Sequence, residues 1–199
     1  MSSSVRPQIL TSTRRLIAER GAVVSMADVA QDVGVSRQAV YLHFGSRANL
    51  FVAVVREMDR EADIQARCEA ALRAEDPVQA LRAFIMIWLG YAAVIQPVAS
   101  MLLAARHHDD DASRAWQDRM DELRGGFLVA SRRLDAAGLL RTGLHPAVAG
   151  ELAWALTSVA VWEQLRLERG WSAPDIERLL TETVVLALTG TVCAPPARA

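Results

Sequence analysis

Arg37, Gln38, Tyr41 and His43 place four hydrogen-bonding side chains within seven residues, with Arg37 and Tyr41 four apart and Gln38 and Tyr41 three apart. On a helix, that spacing puts groups on one side. An arginine fork matches the acceptors on a guanine edge, and a glutamine amide pairs with adenine. Tyrosine and histidine can donate to phosphate oxygens. The chemistry available to this set is recognition of a DNA major groove; no bond need be made or broken.

Residues 25–47, SMADVAQDVGVSRQAVYLHFGSR, are built to hold such a set. Ser25 is a natural helix N-cap, and Asp28 three residues on favours the positive helix end. Val29 and Val33 form an apolar pair at i, i+4, and Ala30 between them lets a second helix approach. Gly34 can take the left-handed conformation that stops a helix, Val35 plugs the turn and Ser36 caps a second helix. That helix buries Val40 and Phe44 and leaves the four polar groups outside. A solvated helical hairpin has the same periodicity, but two short capped helices around a glycine turn match the helix-turn-helix order.

Over about its first 60 residues the chain resembles the TetR family of transcriptional regulators. The match lies in IAERG at 17–21, DVAQDVGVS at 28–36 and AVYLHFGSRANLF at 39–51. The resemblance implies that a first helix supports the hairpin, a third reads DNA and a basic residue opening the fourth holds a phosphate. Those roles fall on Ser25 and Ser36 as caps at the interface, on Arg37, Gln38, Tyr41 and His43 as readers, and on Arg47 as the phosphate ligand. Two positions depart from the family pattern. Ala27 stands where many members carry an arginine that adds a DNA contact, and Gln38 replaces a frequent glycine, which alters the bases read.

The charge distribution agrees with a DNA-binding head. The net charge of the 199 residues is -1, but up to Arg56 there are seven arginines against three acids (Glu19, Asp28 and Asp32), a balance of +4 that leaves -5 for the rest. A basic head on an acidic body concentrates phosphate attraction at the motif. All 22 basic residues are arginine, a bias we ascribe to genomic base composition. Cys68 and Cys193 lack the spacing of a zinc site or a disulfide framework. A thiol sensor at Cys68 is a minor alternative. His107, His108 and Asp109 to Asp111 are suitable ligand types without a regular ligand spacing, so they are expected as a solvated loop and no metal is assigned. The N-terminal MSSSVRPQ lacks the apolar stretch of a signal peptide, and a cytoplasmic location is expected. It is expected as a disordered arm from which Arg6 could reach a phosphate or minor groove.

Beyond the head every segment has helical periodicity and none alternates as a strand does. A fourth helix is expected from the Ser46 cap to about Arg73, with Leu50, Phe51, Val54, Val55 and Met58 on one stripe. Asp76 and Pro77 open a fifth, Pro97 opens a sixth that fades at Arg106, and a seventh runs over 112–137 to Gly138. Pro146 opens an eighth that reaches about Arg169, and Ser172 caps a ninth that ends near Thr191. Residues 84–105 are long and apolar enough to raise a membrane span, but Gln96 and Pro97 interrupt them and no membrane is assigned. The last two helices are apolar around most of their girth, with Val185 and Leu186 continuing the apolar surface of the ninth. Together they suggest half of a four-helix interface between two copies, which the family resemblance also implies. Trp88, Tyr91, Met101, Trp116, Phe127, Trp154 and Trp162 stand among small residues. They can enclose an apolar cavity or form a plain core. The TetR resemblance implies that this region holds an inducer, with all of these but Trp162 as candidate ligand contacts.

The sequence therefore predicts an all-α protein of about nine helices. Residues 5–60 form a three-helix DNA-binding domain, 61–191 a helical effector-binding and dimerisation domain, and 192–199 a disordered tail. The expected function is that of a homodimeric repressor released from a double-stranded palindromic operator by a small apolar or aromatic effector, without a cofactor. A regulator of the same fold that activates or answers no ligand is the alternative. An all-helical enzyme is disfavoured because no phosphate-binding glycine loop, metal constellation or nucleophile beside a base is found.

Overall fold

The computed structural model describes residues 5–107 and 109–190, and every regular element among them is helical. His108, Cys193 and the expected C-terminal tail lie outside the described residues. Packing groups the chain into two compact units. The first takes the chain up to Asp63 together with Val94–Met120; the second takes Ile64–Ala93 together with the chain from Asp121 onward.

In the first unit, α1 (Val5–Arg20), a 3-10 turn (Gly21–Val23), α2 (Met26–Val33), α3 (Arg37–Phe44) and α4 (Arg47–Glu61) succeed one another, and α1 packs on both α2 and α4. Their apolar stripes meet in a core of Ile9, Leu16, Ile17, Val29, Val40, Leu50 and Val54, all essentially sealed from solvent. α1 begins at Val5, so Arg6 is helical and not part of a loose arm. The unit also receives the end of α6 (Pro77–Ala105) and the start of α7 (Asp110–Ala136). Arg119 of α7 grips Asp59 of α4 through two bonds, Nη1 to Oδ2 at 2.6 Å and Nη2 to Oδ1 at 3.0 Å, with both side chains largely buried. A forked pair in that setting fixes geometry as well as charge.

In the second unit, α5 (Ile64–Leu72), most of α6 and α7, α8 (Pro146–Leu156), α9 (Val159–Glu163) with a π-type turn at Gln164–Glu168, and α10 (Ala173–Thr189) surround a second core. Phe84 meets Phe127 edge-on at 5.0 Å between ring centres. Arg133 of α7 donates to the carbonyls of Leu72, Ala74 and Glu75, and so caps the end of α5. Arg82 and Glu182 join α6 to α10 as a forked ion pair that holds the Glu182 carboxyl below its usual range.

Four expected helices have other bounds. The one expected to run from Ser46 to Arg73 is broken at Ala62 and Asp63, where Asp63 takes a φ of 48° and divides α4 from α5. The fifth and sixth are one, because α6 continues through Pro97. Proline removes the donor for the carbonyl four residues earlier, and the Ser100 hydroxyl donates to the Gln96 carbonyl at 2.8 Å in the same turn. The eighth is interrupted at Thr157 and Ser158. The buried Trp88 indole donates to the Thr157 carbonyl at 2.8 Å, and Ser158 caps α9 through the Val161 amide at 3.3 Å. α6 has the length and apolar composition of a membrane span, yet half of its most apolar window is buried inside the protein. Leu81, Ile85 and Leu89 have no exposed surface.

Candidate nucleic-acid interface

The frame of the motif is closed by its own side chains. The Ser25 hydroxyl accepts from the Asp28 amide at 3.2 Å, while the Asp28 carboxylate accepts from the Ser25 amide at 2.8 Å, a reciprocal capping box. Gly34 stops α2 at φ 74°, with the Val35 amide donating back to the Ala30 carbonyl at 3.0 Å. Ser36 accepts from the Ala39 amide at 3.1 Å and starts α3. Met26, Val29 and Ala30 from α2 and Val40 and Phe44 from α3 are buried, which fixes the angle between the helices.

With Val40 and Phe44 inside, the outer face of α3 carries Arg37, Gln38, Tyr41 and Leu42, all exposed. Arg37 lies over the Tyr41 ring at 5.4 Å and its Nη2 donates to the Tyr41 hydroxyl at 3.3 Å, so the two move as one surface group. His43 is only half exposed and turns toward the ring of Phe44, and its backbone carbonyl accepts from Arg6 at 3.3 Å. Leu42, 81% exposed, is a member of this face that the hydrogen-bonding pattern of the sequence does not bring out. A signal exists nonetheless: Leu42 falls outside the Val40 to Phe44 spacing and is the one large aliphatic group on the polar side.

Arg47 opens α4 beside the N-cap Ser46, which accepts from the Asn49 amide at 3.1 Å. Its Nε donates to the Val24 carbonyl at 2.9 Å and its guanidinium lies over Phe51 at 4.9 Å, so this residue also ties α4 to the extended link before α2. Elsewhere the positive charge of the head is partly matched. Arg14 pairs with Glu61 at 2.6 Å, Arg15 with Glu19 at 2.8 Å and with Asp32, and Arg20 with Asp28 at 3.6 Å. Arg6, Arg37 and Arg56 meet no carboxylate among the described residues. The field available to phosphate is therefore concentrated on α1's start, α3 and α4.

Two carboxyls in this frame are held below the usual range: Asp32 by the Arg15 guanidinium and then the Ser12 hydroxyl, and Asp28 by its bonds to Ser25. A carboxyl depressed by folding contributes stability above its unfolded pKa, about 4, and loses it as pH falls through the folded value. Asp32→Asn is accordingly expected to lower the melting temperature at neutral pH and to converge on the parent protein in acid. A constant difference from pH 7 to pH 2 would show that the carboxylate bond does not stabilise the head.

The aromatic candidates do not form one set. Trp88, Tyr91, Phe127 and Trp154 belong to the second unit, whereas Met101 and Trp116 belong to the first. Phe127 has no exposed surface, and Trp88 is buried with its indole N–H bonded to the Thr157 carbonyl. Trp154 differs. It is half exposed, Arg124 lies over its ring at 5.8 Å, and its indole N–H is buried without a partner, as are the Trp162 N–H and the Ser131 hydroxyl. Cys68 is half buried and burial pushes its thiol up, which works against thiolate chemistry. Among the described residues no three ligating side chains converge on a metal position.

A capped helix pair that presents an exposed reading face on a supporting three-helix frame defines a helix-turn-helix DNA-binding protein. Residues 9–54 match the bacterial regulatory proteins of the tetR family. The chain is 30% identical over 86 residues to the HTH-type transcriptional regulator TtgR of Pseudomonas putida, a match spanning 43% of this chain and 41%, less than half, of that one. Among solved structures it is similar to the TetR family transcriptional regulator PfmR from Thermus thermophilus, with 25% identity, TM-score 0.66, and coverage of 89% of this chain and 96% of that one. A transcriptional regulator from Saccharomonospora viridis in complex with choline shares the fold at TM-score 0.74 and 19% identity, over 94% of this chain and 98% of that one.

Proposed function

We propose that the chain is a DNA-binding transcriptional regulator without enzymatic activity, acting in the cytoplasm as a homodimeric repressor on a palindromic operator. The observation that carries this reading is the exposed face of α3, where Arg37, Gln38, Tyr41 and Leu42 stand on a frame locked by two side-chain caps. Arg37 and Gln38 read base edges, Leu42 offers apolar contact to a thymine methyl, and Tyr41, His43 and Arg47 serve phosphates. A second copy places a second α3 about one helical turn away on the duplex, some 34–36 Å.

The experiment is to select the operator from random duplexes with the whole protein, then compare variants. Arg37→Ala and Gln38→Ala should each relax the preference at one position by about 1–3 kcal/mol. Arg47→Ala should weaken all sequences alike and flatten the salt dependence by about one phosphate. Selection that yields no consensus, or an Arg47 variant that changes the consensus while keeping the salt slope, would reject these roles.

The same proposal assigns residues 5–60 to DNA binding and 61–191 to dimerisation and effector binding. A small apolar or aromatic effector is expected in the second unit, with Trp88, Tyr91, Phe127 and Trp154 as its candidate contacts. The unpaired N–H groups of Trp154 and Trp162 favour a molecule that also brings a hydrogen-bond acceptor, since a buried donor without a partner is costly. An effector needs to prefer the non-binding state by only about 100-fold, roughly 2.7 kcal/mol, to release a moderately held operator. Ligands that saturate the second unit yet leave operator affinity unchanged would favour the ligand-independent alternative.

A further inference from the structure

The first unit holds a cleft of about 500 Å³, open to solvent, formed by α1, the end of α3, α4 and the start of α7. That volume is within the range of small-molecule sites. Its floor is apolar: Leu10 and Phe44 are nearly buried, and Val52 and Ala53 are half buried beside them. Its rim is charged, and the charges are not all matched. Arg60 pairs with Glu57 and Arg114 with Asp111. Arg6 lies over the Phe44 ring at 4.7 Å and, among the described residues, donates to the His43 carbonyl alone, at 3.3 Å. Arg56 has no partner among the described residues, and neither has Asp118 on the same rim.

We infer that this cleft binds a small monocarboxylate with an apolar body, the carboxylate on Arg56 and Arg6 and the body against Phe44 and Leu10. Two unmatched guanidiniums against one unmatched carboxylate favour a single negative charge, and Asp118 opposes a second one. A guanidinium fork fits a carboxylate, and the apolar floor below it has nothing to offer a backbone phosphate. The cleft belongs to the first unit, whereas Trp88, Tyr91, Phe127 and Trp154 belong to the second. On the DNA-binding reading proposed above, its occupancy bears directly on the reading helix, because Phe44 is the last residue of α3 and Arg6 holds the His43 carbonyl.

The test uses the full chain without DNA, so its outcome is independent of operator recognition. Benzoate and hexanoate, with benzamide, hexanamide and phthalate as comparisons, are titrated and followed by protein NMR. The two monocarboxylates should bind with Kd below about 1 mM, and the amides and phthalate at least about tenfold more weakly. Arg56→Ala should lose about tenfold in carboxylate affinity, and Arg56→Lys, which keeps the charge without the fork, should fall between it and the parent protein. Arg56 is exposed and without a partner among the described residues, so its loss does not endanger folding. Acids that bind no better than their amides, or no acid binding below about 1 mM, would overturn the inference. So would an Arg56→Ala protein that keeps its carboxylate affinity, since its guanidinium would then not hold the acid.

Discussion

Leu186→Glu is expected to turn the protein into monomers and to lower operator affinity by at least about 100-fold, the loss incurred when two linked reading heads become independent. The reason lies in the surface of α10. Leu179 and Leu186 are 38% and 44% exposed, and Thr183 between them is exposed too, a stripe at i, i+4, i+7 that is apolar at both ends. On α8, Val148 is 56% exposed and continues through half-buried Leu152 to exposed Ala155. Apolar stripes on two helices of one unit are the kind of surface a second copy would cover. A glutamate within that contact must be desolvated without a partner, which such an interface does not tolerate. Sedimentation together with anisotropy on labelled operator measures both effects. An unaltered dimer with Glu at position 186 would move the interface off α10.

The sequence pattern places Val185 and Leu186 together on the outer surface of the last helix, and only Leu186 is there. Val185 is 1% exposed and belongs to the core of its own unit. A charge there tests folding, not association. The sequence does not separate the two, because an all-round apolar helix has no polar edge from which to orient it.

Gly126→Val is expected to destabilise the second unit by about 3 kcal/mol, near the upper end of overpacking penalties. In a chain of this size that corresponds to a melting temperature lower by roughly 6–12 °C. A Cβ at Gly126 would run into the Phe84 ring, with Cε2 2.8 Å and Cε1 3.3 Å away. Phe84 is 3% exposed and stands edge-on to Phe127, so the ring has little room to turn aside. The neighbouring Gly125 provides the contrast. Nothing lies within 4 Å of a Cβ built there, and Gly125→Ala should stabilise α7 by about 0.5–1 kcal/mol through helix propensity alone. Thermal melts of the two variants should therefore move in opposite directions. If Gly126→Val melted with the parent protein, the close approach of α6 to α7 would not be the reason for glycine at this position.

The features legible in the sequence are those that depend on near neighbours. Ser25, Ser36, Ser46, Ser172 and Pro146 start helices where their capping chemistry places them, and Gly34 and Gly138 take the left-handed conformation where the helices are expected to stop. The reading face of α3 is set by the burial of Val40 and Phe44. Features set by distant partners are not legible. Asp63 has no local signal for a positive φ. Pro97 normally marks a helix start, yet here a long helix carries it in its interior. The break after Thr157 is foreshadowed only by Ser158, a capping residue within an apolar run, and the partner of the Thr157 carbonyl is Trp88, 69 positions away in sequence. The six aromatic and methionine candidates are grouped by composition, and composition carries no information on which compact unit each joins.

The first unit is discontinuous, and this has a bearing on how the protein is made. The segment up to Asp63 leaves the ribosome well before Val94–Met120, the part of α6 and α7 that packs with it. The interval from residue 63 to residue 120 is 57 residues, which at ordinary elongation rates is on the order of 3–10 s. During that time α4 is without Arg119, and Asp59, largely buried in the finished protein, is bathed in water. The helix-turn-helix hairpin needs only its own caps and can form early; the far side of α4 must wait. A fragment truncated after residue 63 reproduces that waiting state permanently, so the nascent head is a better description of it than a free-standing domain.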